Sequence, residues 1–562
     1  MIRDFRHYND AFELEADVCI VGAGAAGITL ALSLAGSGLR CCVLESGGRN
    51  FDAAIQSLGD VEQNDSDNGY QCHLRYLGGA TNHWGGWCAP LNPLDFEPRP
   101  WVPESGWPIG ADELKPYYTA AQAICGLSSL GYSTDELSGD SRDFRPFNTS
   151  RMTTRFYQFS KPPKRFGSAY GPSLEKEQDV DIFLHANVTH LQASKDASSV
   201  NAAMVRTLEG KTGRVLARHF VVACGGIQNA RLLLLSDKTQ EQGLGNSNGL
   251  LGRYFMQHPH APVASILTND PDAVTRLFDR FTRNSFTVRA SLGPSAAQQR
   301  QERILNCSAT IDRTADPVSG YGALRTIWRD LKRGKWPEDI SEKLRTVISD
   351  LDSLTSAPNW LSLYMRSEQS PNSDSRVTLS DSRDGLGLRK AKVEWQLNEL
   401  DKRTVYTAAR VIGEELARTK VGRVRLADWL TKKDPDWPQD LWGGCHHMGT
   451  TRMSNSPDSG VVNPDCRMHT VDNVFIAGSS VFPTSGYANP TLTITALALR
   501  LAEHIRTLYP YGYRCRAEPV SHSRHYVIKR FSEASAFALP GAILPCVEET
   551  RQRKAMQIEA AP

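Results

Sequence analysis

The apolar pattern near the N-terminus predicts a strand, a helix and a second strand in close succession. The run Val18–Val21 is apolar and stops at Gly22, which is typical of a buried strand that enters a tight turn. A helix-compatible stretch follows over residues 25–35, and Arg40–Leu44 forms a second buried-strand pattern. Because continuous apolar strands joined by a helix are typical of parallel sheets, the sequence predicts a βαβ unit here.

Further along the chain, the hydrophobic pattern first predicts more of the parallel sheet and then a sheet of a different kind. Arg218–Ala223 predicts another strand of the same kind, followed by two glycines and a helix-like segment. Beyond about residue 260, alternation with polar turns predicts a largely antiparallel sheet. Its predicted elements are the strands Val263–Leu267 and Ala309–Ile311, the pair Arg376–Leu379 and Lys392–Trp395, and a helix over Lys402–Thr419. Leu91–Leu174 is irregular and predicts loops over a site, and residues 322–354, with seven lysines and arginines, predict an inserted helical pair with a solvated face.

Composition and charge narrow the classes of partner. The 562 residues include 64 basic and 62 acidic side chains, a net charge of +2, so nothing favours nucleic acid or an anionic membrane. No stretch approaches the roughly 20 apolar residues of a membrane span, and the N-terminus lacks the apolar core of an export signal. We therefore expect a cytoplasmic protein of roughly 2–4 domains that acts on a small molecule.

The cysteines predict neither a disulfide framework nor a metal site. Twelve of them are scattered along the chain, Cys41 and Cys42 are adjacent, and no CxxC pair occurs. We expect single buried thiols in a reducing compartment and no bound metal.

The turn after the first strand carries a G-x-G-x-x-G motif at Gly22, Gly24 and Gly27. The first glycine allows the tight turn, the second lets the backbone approach a pyrophosphate, and the third lets the helix pack on the strand. The start of the helix offers unpaired N–H groups to the anion. Glu45, at the end of the second strand, can accept hydrogen bonds from the ribose hydroxyls of an adenosine. The motif predicts a dinucleotide and leaves NAD and FAD both open.

Further motifs lie outside the βαβ unit. Leu77–Pro90 reads LGGATNHWGGWCAP, a glycine-rich loop suited to lying against a flat, bulky group. Late in the chain come HHMGTTRM at 446–453, GSSVFP at 478–483 and GYANPTLT at 486–493. The last of these opens a helix to about Arg506, whose apolar face predicts inward packing through Ile494, Leu497, Ala498, Leu501 and Ile505.

The motifs GAGAAG, GGATNHWGG, HHMGTTRM and GSSVFP…GYANPTLT, in this order, resemble those of the glucose-methanol-choline (GMC) oxidoreductases, a family of FAD enzymes. The resemblance spans about residues 15–508. The GYANPTLT form is most like the pyranose 2-oxidase branch and related bacterial glycoside oxidases. The chain departs from many relatives at Gly478-Ser479-Ser480, where they carry an aspartate before the Ser-Val, so the flavin contacts there are left open.

The patterns and the resemblance together imply an α/β fold. In it, a Rossmann-like FAD-binding domain is interleaved with an α+β substrate domain built on a largely antiparallel sheet. We expect residues 1–110, 175–258 and 445–510 to form the FAD-binding domain and residues 111–174 and 259–444 to form the substrate domain. Residues 511–562 are a C-terminal extension to which no role is assigned.

The resemblance implies a catalytic pair, His446 of the H-x-x-G-T motif and Asn489 of the late motif. Oxidising an alcohol requires removal of its O–H proton as the C–H hydride leaves for flavin N5, and a neutral imidazole is a suitable proton acceptor. Asn489 would hold the substrate oxygen and position the carbinol carbon, although its place before Pro490 is also that of an ordinary helix N-cap. The alternative base is His447, one residue along. The histidines expected to be structural are His258, His260 and His469.

The predicted FAD contacts come from all of these motifs. They are Gly22, Gly24, Ala25, Ala26, Gly27, Glu45, Ser46, Gly79, Thr81, Asn82, His83, Trp84, Val188, Ala223, Gly478, Ser479, Asn489, Pro490 and Thr491. The resemblance also implies that a histidine in a G-x-x-x-H-W context can carry FAD covalently, as in pyranose 2-oxidase-like enzymes. Here that residue is His83, and covalent attachment and non-covalent packing are both left open.

The leading hypothesis for the function is oxidation of a ring hydroxyl of a sugar or glycoside to a ketone. The alternatives are a flavin-dependent lyase of the same fold with no net redox, and oxidation of an aliphatic or aromatic alcohol. A flavoprotein binding module without a substrate is disfavoured by the presence of both His446 and Asn489. Oxygen, a quinone and a partner redox protein are all open as electron acceptors, and an oligomer is compatible with the sequence.

Overall fold

The computed structural model describes residues 1–63, 72–138, 147–313, 327–328, 340–349, 360–432, 436–438 and 441–509. The predicted C-terminal extension and most of the predicted 322–354 insertion lie outside these residues. Within them, every helix is too short or too polar to cross a bilayer.

The first sheet holds the predicted βαβ unit. Its strands, in spatial order, are β1 (Ile2–Asp4), β7 (Val180–Leu184), β3 (Cys41–Leu44), β2 (Phe12–Val21), β10 (Thr212–Val222), β9 (Val200–Arg206) and β8 (Asn187–Ala193), with β19 (Val474–Ile476) also beside β10. Neighbours from β1 to β10 run parallel, and so does β19, whereas β10, β9 and β8 form an antiparallel meander. The carboxyl ends of the parallel strands therefore meet at one edge, which is where ligands bind in such sheets.

The second sheet is antiparallel throughout, as predicted for the region beyond residue 260. Its strands, in spatial order, are β18 (Arg423–Leu426), β11 (His260–Leu267), β15 (Trp360–Ser367), β14 (Cys307–Arg313), β13 (Phe286–Pro294), β6 (Met152–Phe159) and β5 (Trp87–Cys88), with β12 (Phe281–Arg283) beside β13. The predicted helix is present at Glu399–Arg418 and starts with a capping box between Asn398 and Asp401. Its apolar stripe packs into the core of this sheet through Val405, Ala408, Ala409, Ile412 and Leu416.

A third, three-stranded sheet corrects the predicted pairing. Strands β16 (Arg376–Arg383) and β17 (Arg389–Glu394) pair with each other as predicted, but they do not join the large antiparallel sheet. Instead β17 runs parallel to β4 (Val61–Gln63), a strand from the N-terminal part of the chain. The physical reason is that the two strands of a hairpin are close in sequence, so their alternating polar and apolar residues predict the pairing. The strand that pairs with the outer edge of the hairpin comes from a distant part of the chain and leaves no such local pattern.

Between the strands, the described residues form a series of helices. They are α1 (Ala25–Leu34), α2 (Ala53–Ser57), α3 (Pro93–Phe96), α4 (Ala111–Cys125), α5 (Thr134–Ser138), α6 (Phe166–Leu174), α7 (Gln228–Leu234), α8 (Pro271–Phe278), α9 (Ala296–Glu302), α10 (Ile340–Ser349), α11 (Glu399–Arg418), α12 (Asp428–Thr431) and α13 (Thr491–Thr507). Short 3-10 turns lie at Phe5–His7, Gly79–Asn82 and Ser479–Val481. The predicted C-terminal helix is α13, and it packs between α1 and α4.

Two predictions about the middle of the chain and its cysteines are wrong. Residues 91–174 are not simply irregular loops, because they contain α4, β6 and α6, whose aromatic and proline content hides their periodicity. The cysteines are not all free thiols either, since Cys72 and Cys445, 373 residues apart in sequence, form a disulfide. No spacing rule identifies a pair so distant, because chain folding alone brings its members together.

Candidate active site

A cavity of about 690 Å³ opens at the carboxyl edge of the first sheet. Residues at or just beyond the ends of its parallel strands line it, namely Val21, Leu44, Ala223 and Ala477. A volume of this size is within the range of cofactor and ligand sites. The second sheet also contributes to the cavity wall, through residues of β5, β11 and β15.

The first glycine loop gives this cavity an anion-binding wall. Gly22 has φ +103°, and a Cβ there would lie 2.7 Å from the carbonyl oxygen of Ala223. A Cβ on Gly24 would meet nothing within 4 Å, so the backbone at the start of α1 faces open space. Gly24 caps α1 without a side-chain hydrogen bond, which leaves the first N–H groups of the helix for an anion. Gly27 does not line the cavity; a Cβ there would lie 1.9 Å from the carbonyl oxygen of Gly22, so it serves helix packing.

Glu45 lies at the end of β3 with its carboxylate fixed toward the cavity. Oε2 accepts from the Ala23 N–H at 2.9 Å, and Oε1 accepts from the Gly47 N–H at 3.0 Å and from the Ser46 hydroxyl at 3.1 Å. A carboxylate has about four acceptor positions, so this one can still accept a ribose hydroxyl. Val188 of β8 lies in the wall near this end.

The glycine-rich loop at residues 77–86 is bound to the first loop. The Gly78 N–H donates to the carbonyl oxygen of Ala23 at 2.9 Å. Arg165 holds the loop from outside by donating to the carbonyl oxygens of Thr81 and Trp84, both at 2.9 Å. His83 ends the 3-10 turn of this loop and lines the cavity.

Asn82 departs from the predicted cofactor contacts. It is not part of the cavity wall, and its Nδ2 donates to the carbonyl oxygen of Leu77 at 3.0 Å. The side chain therefore shapes the loop from within, which is a common use of asparagine in turns.

Asn229 joins two further segments of the wall. Its Oδ1 accepts from the Cys224 N–H at 2.6 Å, and its Nδ2 donates to the Ser480 hydroxyl at 2.8 Å. Ser479, beside it, donates its hydroxyl to the carbonyl oxygen of His447 at 2.6 Å. A Cβ on Gly478, which has φ +116°, would meet nothing within 4 Å, so the backbone there also faces open space.

His446 and Asn489 meet inside the cavity. The Nδ2 of Asn489 lies 3.0 Å from Nε2 of His446, and both residues line the wall. Helix α13 begins at Thr491 with Pro490 as its N-cap, and no side chain caps it. The reading of Asn489 as an ordinary N-cap is therefore wrong, because its amide binds the histidine rather than the helix. His447 also borders the cavity, but its ring lies against His73 and Phe255.

His258 supports His446 from behind. The Nδ1 atoms of the two rings lie 2.8 Å apart, and Nε2 of His258 lies 3.4 Å from the carbonyl oxygen of Ser485. Since a carbonyl only accepts, His258 carries its proton on Nε2, and its Nδ1 accepts the proton of His446 Nδ1. Nε2 of His446 then carries the lone pair, which accepts from the Asn489 amide in this structure. A substrate hydroxyl that enters between the two side chains would meet this lone pair as a proton acceptor.

Burial keeps this histidine group uncharged. It lowers the pKa of His258 to about 4 and holds the pKa values of His446 and His260 well below the ordinary histidine value, with nearby positive charges adding to the effect. His446 is therefore a neutral base at physiological pH. His258, His260 and His446 bring nitrogens within 4.8 Å of one another, but the bond between His258 and His446 already occupies the two Nδ1 atoms.

The predicted site residues mostly come together. All of the predicted catalytic and cofactor residues line the cavity except Gly27 and Asn82. His469 lies elsewhere, beside the Ser454 hydroxyl. His258 and His260 were expected to be structural, yet the first binds His446 and the second lines the cavity. The available signal was the His-x-His spacing that leads into β11. Further wall residues were not predicted, among them Arg75, Gln228, Arg231, Arg366 and Trp442.

Comparison with known proteins identifies what this architecture is similar to. The family profile described as GMC oxidoreductase matches residues 371–498, and the profile described as FAD dependent oxidoreductase matches residues 17–280. The 6'''-hydroxyparomomycin C oxidase of Streptomyces lividus is 29% identical over 87% of this chain and 91% of its own. A C-glycoside 3-oxidase of Microbacterium trichothecenolyticum is 33% identical over 23% of this chain and 24% of its own. The crystal structure of formate oxidase has the same fold, with a TM-score of 0.51 and 15% identity over 89% of this chain and 99% of that one.

The two family profiles fall on the segments that build the cavity. The FAD profile contains the glycine loops, Glu45 and Ala223, and the GMC profile contains His446, Gly478 and Asn489. Their match agrees with the open backbone at Gly24 and Gly478, where a bulky cofactor can approach. The chain therefore belongs to the GMC oxidoreductases and is an FAD-dependent enzyme that acts on CH–OH groups.

Proposed function

We propose that this enzyme oxidises a ring hydroxyl of a sugar or glycoside to a ketone, with His446 as the base. The observation that carries the proposal is the His446–Asn489 contact of 3.0 Å inside the cavity. The names of two relatives, a paromomycin-type oxidase and a C-glycoside 3-oxidase, support a sugar-like alcohol. The near-neutral charge of the whole chain is compatible with such a substrate.

Three side chains of the protein have separate roles at the carbinol group of the substrate. The Nε2 lone pair of His446 accepts the hydroxyl proton, and His258 keeps that lone pair available by accepting from Nδ1. Asn489 donates a hydrogen bond to the substrate oxygen and fixes the orientation of the C–H bond. Bound FAD supplies the two-electron acceptor that takes the hydride. The start of α13 lines the same cavity, and its partial positive charge would favour a cofactor that carries negative charge there.

Anaerobic reduction of the holoprotein tests the proposal. Mixing it with pyranosides should bleach the yellow flavin band, and His446→Gln should slow bleaching by about 10²–10⁴-fold because the base is lost. His469→Gln is the matched control, since His469 lies outside the cavity and should leave the rate unchanged. Absence of bleaching with every alcohol tried would contradict the proposal, and cyanohydrin cleavage without bleaching would favour the lyase.

The attachment of FAD through His83 has its own test. His83 lines the cavity on a loop that Arg165 holds in place, so the position suits a residue lying against the flavin. Acid precipitation separates the two forms, because covalent flavin stays with the protein pellet and non-covalent flavin enters the supernatant. His83→Ala should move the colour to the supernatant if the bond exists.

Three further points stay predictions. Oxygen, a quinone or a partner redox protein takes the electrons from the reduced enzyme, and the oligomeric state is open. A cytoplasmic location also stays a prediction, and the Cys72–Cys445 disulfide speaks against it because structural disulfides are rare in reducing compartments.

A further inference from the structure

Arg366 brings a positive charge to the catalytic end of the cavity. It lies on β15 directly opposite His260 of β11 in an antiparallel pair, so the two side chains stand next to each other with Cβ atoms about 5 Å apart. The His260 ring is 5.9 Å from the His446 ring. Both Arg366 and His260 line the cavity. One side chain therefore separates the guanidinium group from the proposed base.

The charge of Arg366 has no carboxylate partner of its own among the residues that the structure describes. Its Nη1 donates to the hydroxyl of Thr310 at 3.1 Å, and that hydroxyl donates to Asp312 at 3.0 Å. Asp312 is already ion-paired with Arg289. Arg366 thus reaches a carboxylate only through a hydroxyl, and that carboxylate already pairs with Arg289. Its positive charge is therefore not neutralised by a direct ion pair among the described residues.

Aromatic rings hold the guanidinium group in a fixed position. Its Cζ lies 4.8 Å from the centre of the Trp87 ring and 5.2 Å from that of Tyr364. Such faces stabilise a cation and restrict its rotamers. Burial lowers the pKa of Arg366, which reflects the cost of keeping this cation away from water. A bound anion would offset that cost, and the neutral histidines beside it offer none.

We propose that Arg366 binds an oxyanion on the substrate, above all a carboxylate, so that the enzyme selects acidic sugars or glycosides over neutral ones. This inference rests on the proposed function of the cavity. A planar guanidinium group matches a carboxylate in a bidentate arrangement, and an uncompensated cation disfavours positively charged substrates. Because Arg366 is one side chain from His446, the acidic group belongs to the sugar ring that is oxidised or to its neighbour.

Matched substrates test the selection in the holoprotein. Methyl β-D-glucuronide and methyl β-D-glucopyranoside differ in one carboxylate, and glucose 6-phosphate tests whether a phosphate serves equally well. We expect flavin reduction to favour the glucuronide in kcat/KM by about 10- to 100-fold, the usual worth of a hydrogen bond to a charged group. Arg366→Gln should abolish that preference through KM, with kcat for the glucuronide little changed.

The control variant is Arg280→Gln. Arg280 also lies over the Trp87 ring, at 5.7 Å, but is exposed and is not part of the cavity wall, so the preference should survive. The inference would be overturned if the wild type had equal kcat/KM for the glucuronide and the neutral glycoside. It would also be overturned if the ratio of these two kcat/KM values were the same in Arg366→Gln as in the wild type. Titrating the oxidised flavin spectrum with the glucuronide separates the two proposals. Arg366-dependent binding without reduction supports the anion site and contradicts sugar oxidation.

Discussion

Replacing His258 by phenylalanine tests the proton arrangement behind the proposed base. Phenylalanine keeps an aromatic ring but removes the acceptor for the Nδ1–H of His446, the 2.8 Å contact. A buried donor left without a partner costs about 1–3 kcal/mol. His446 avoids that cost by moving its proton to Nε2, where it no longer accepts a proton from a substrate. The active form is then disfavoured by that amount.

The expected effect follows directly. A penalty of about 1–3 kcal/mol slows flavin reduction by about 5- to 150-fold at saturating substrate, measured by anaerobic stopped-flow. His258→Asn should restore part of the rate, because the side-chain oxygen of asparagine lies close to where Nδ1 of histidine was. FAD content and the thermal midpoint of each variant show whether the fold is intact. Equal rates in the phenylalanine and asparagine variants, or a wild-type rate in the first, would refute the reasoning.

Further predictions concern pH, a buried ion pair and the disulfide. Burial holds the pKa of His446 well below the ordinary histidine value, and the base must be neutral to accept a proton. The rate of flavin reduction should therefore not fall as the pH is lowered through about 6.5, the usual histidine pKa. A fall in rate at that pH would count against a neutral His446. The side chains of Arg99 and Glu368 are fully buried and paired at 2.6 Å. Glu368→Gln should therefore lower the free energy of unfolding, measured by urea titration, by about 3–5 kcal/mol. A loss of only about 0–1 kcal/mol, which is typical of an exposed ion pair, would contradict this. Reducing Cys72–Cys445, or Cys445→Ser, should lower stability by about 2–5 kcal/mol, seen as a lower thermal midpoint, and a cross-linked peptide in non-reducing mass spectrometry should carry both cysteines.

The local parts of the fold and site were predictable from the sequence. Gly24, Gly27 and Glu45 have geometric roles that depend on residues within or next to one βαβ unit, and the structure has that unit at Phe12–Leu44. The helix at Glu399–Arg418 follows from an apolar stripe and a capping box within twenty residues. Such features depend on residues that are close in sequence, so the pattern and spacing of residue types are sufficient to predict them.

Contacts between distant segments were not predictable in the same way. His258 binds His446 across 188 residues, and His260 lies beside Arg366 because two strands pair in one register. Asn82 was expected to face the cofactor because it lies in the right loop, but its amide satisfies a backbone carbonyl of that loop instead. Which of several polar side chains faces a cavity depends on φ, ψ and rotamer, and a motif does not specify these.

The position of β19 has a consequence for how the enzyme is made. This strand, Val474–Ile476, is among the last described elements of the chain, yet it pairs beside β10 in the sheet that carries the first glycine loop. During synthesis from the N-terminus, β10 lacks this neighbouring strand until residues 474–476 have left the ribosome. The cavity wall supplied by Ala477 and Gly478 is equally late. The cofactor cavity is therefore completed only late in translation, and for most of its synthesis the nascent chain lacks a complete site for FAD.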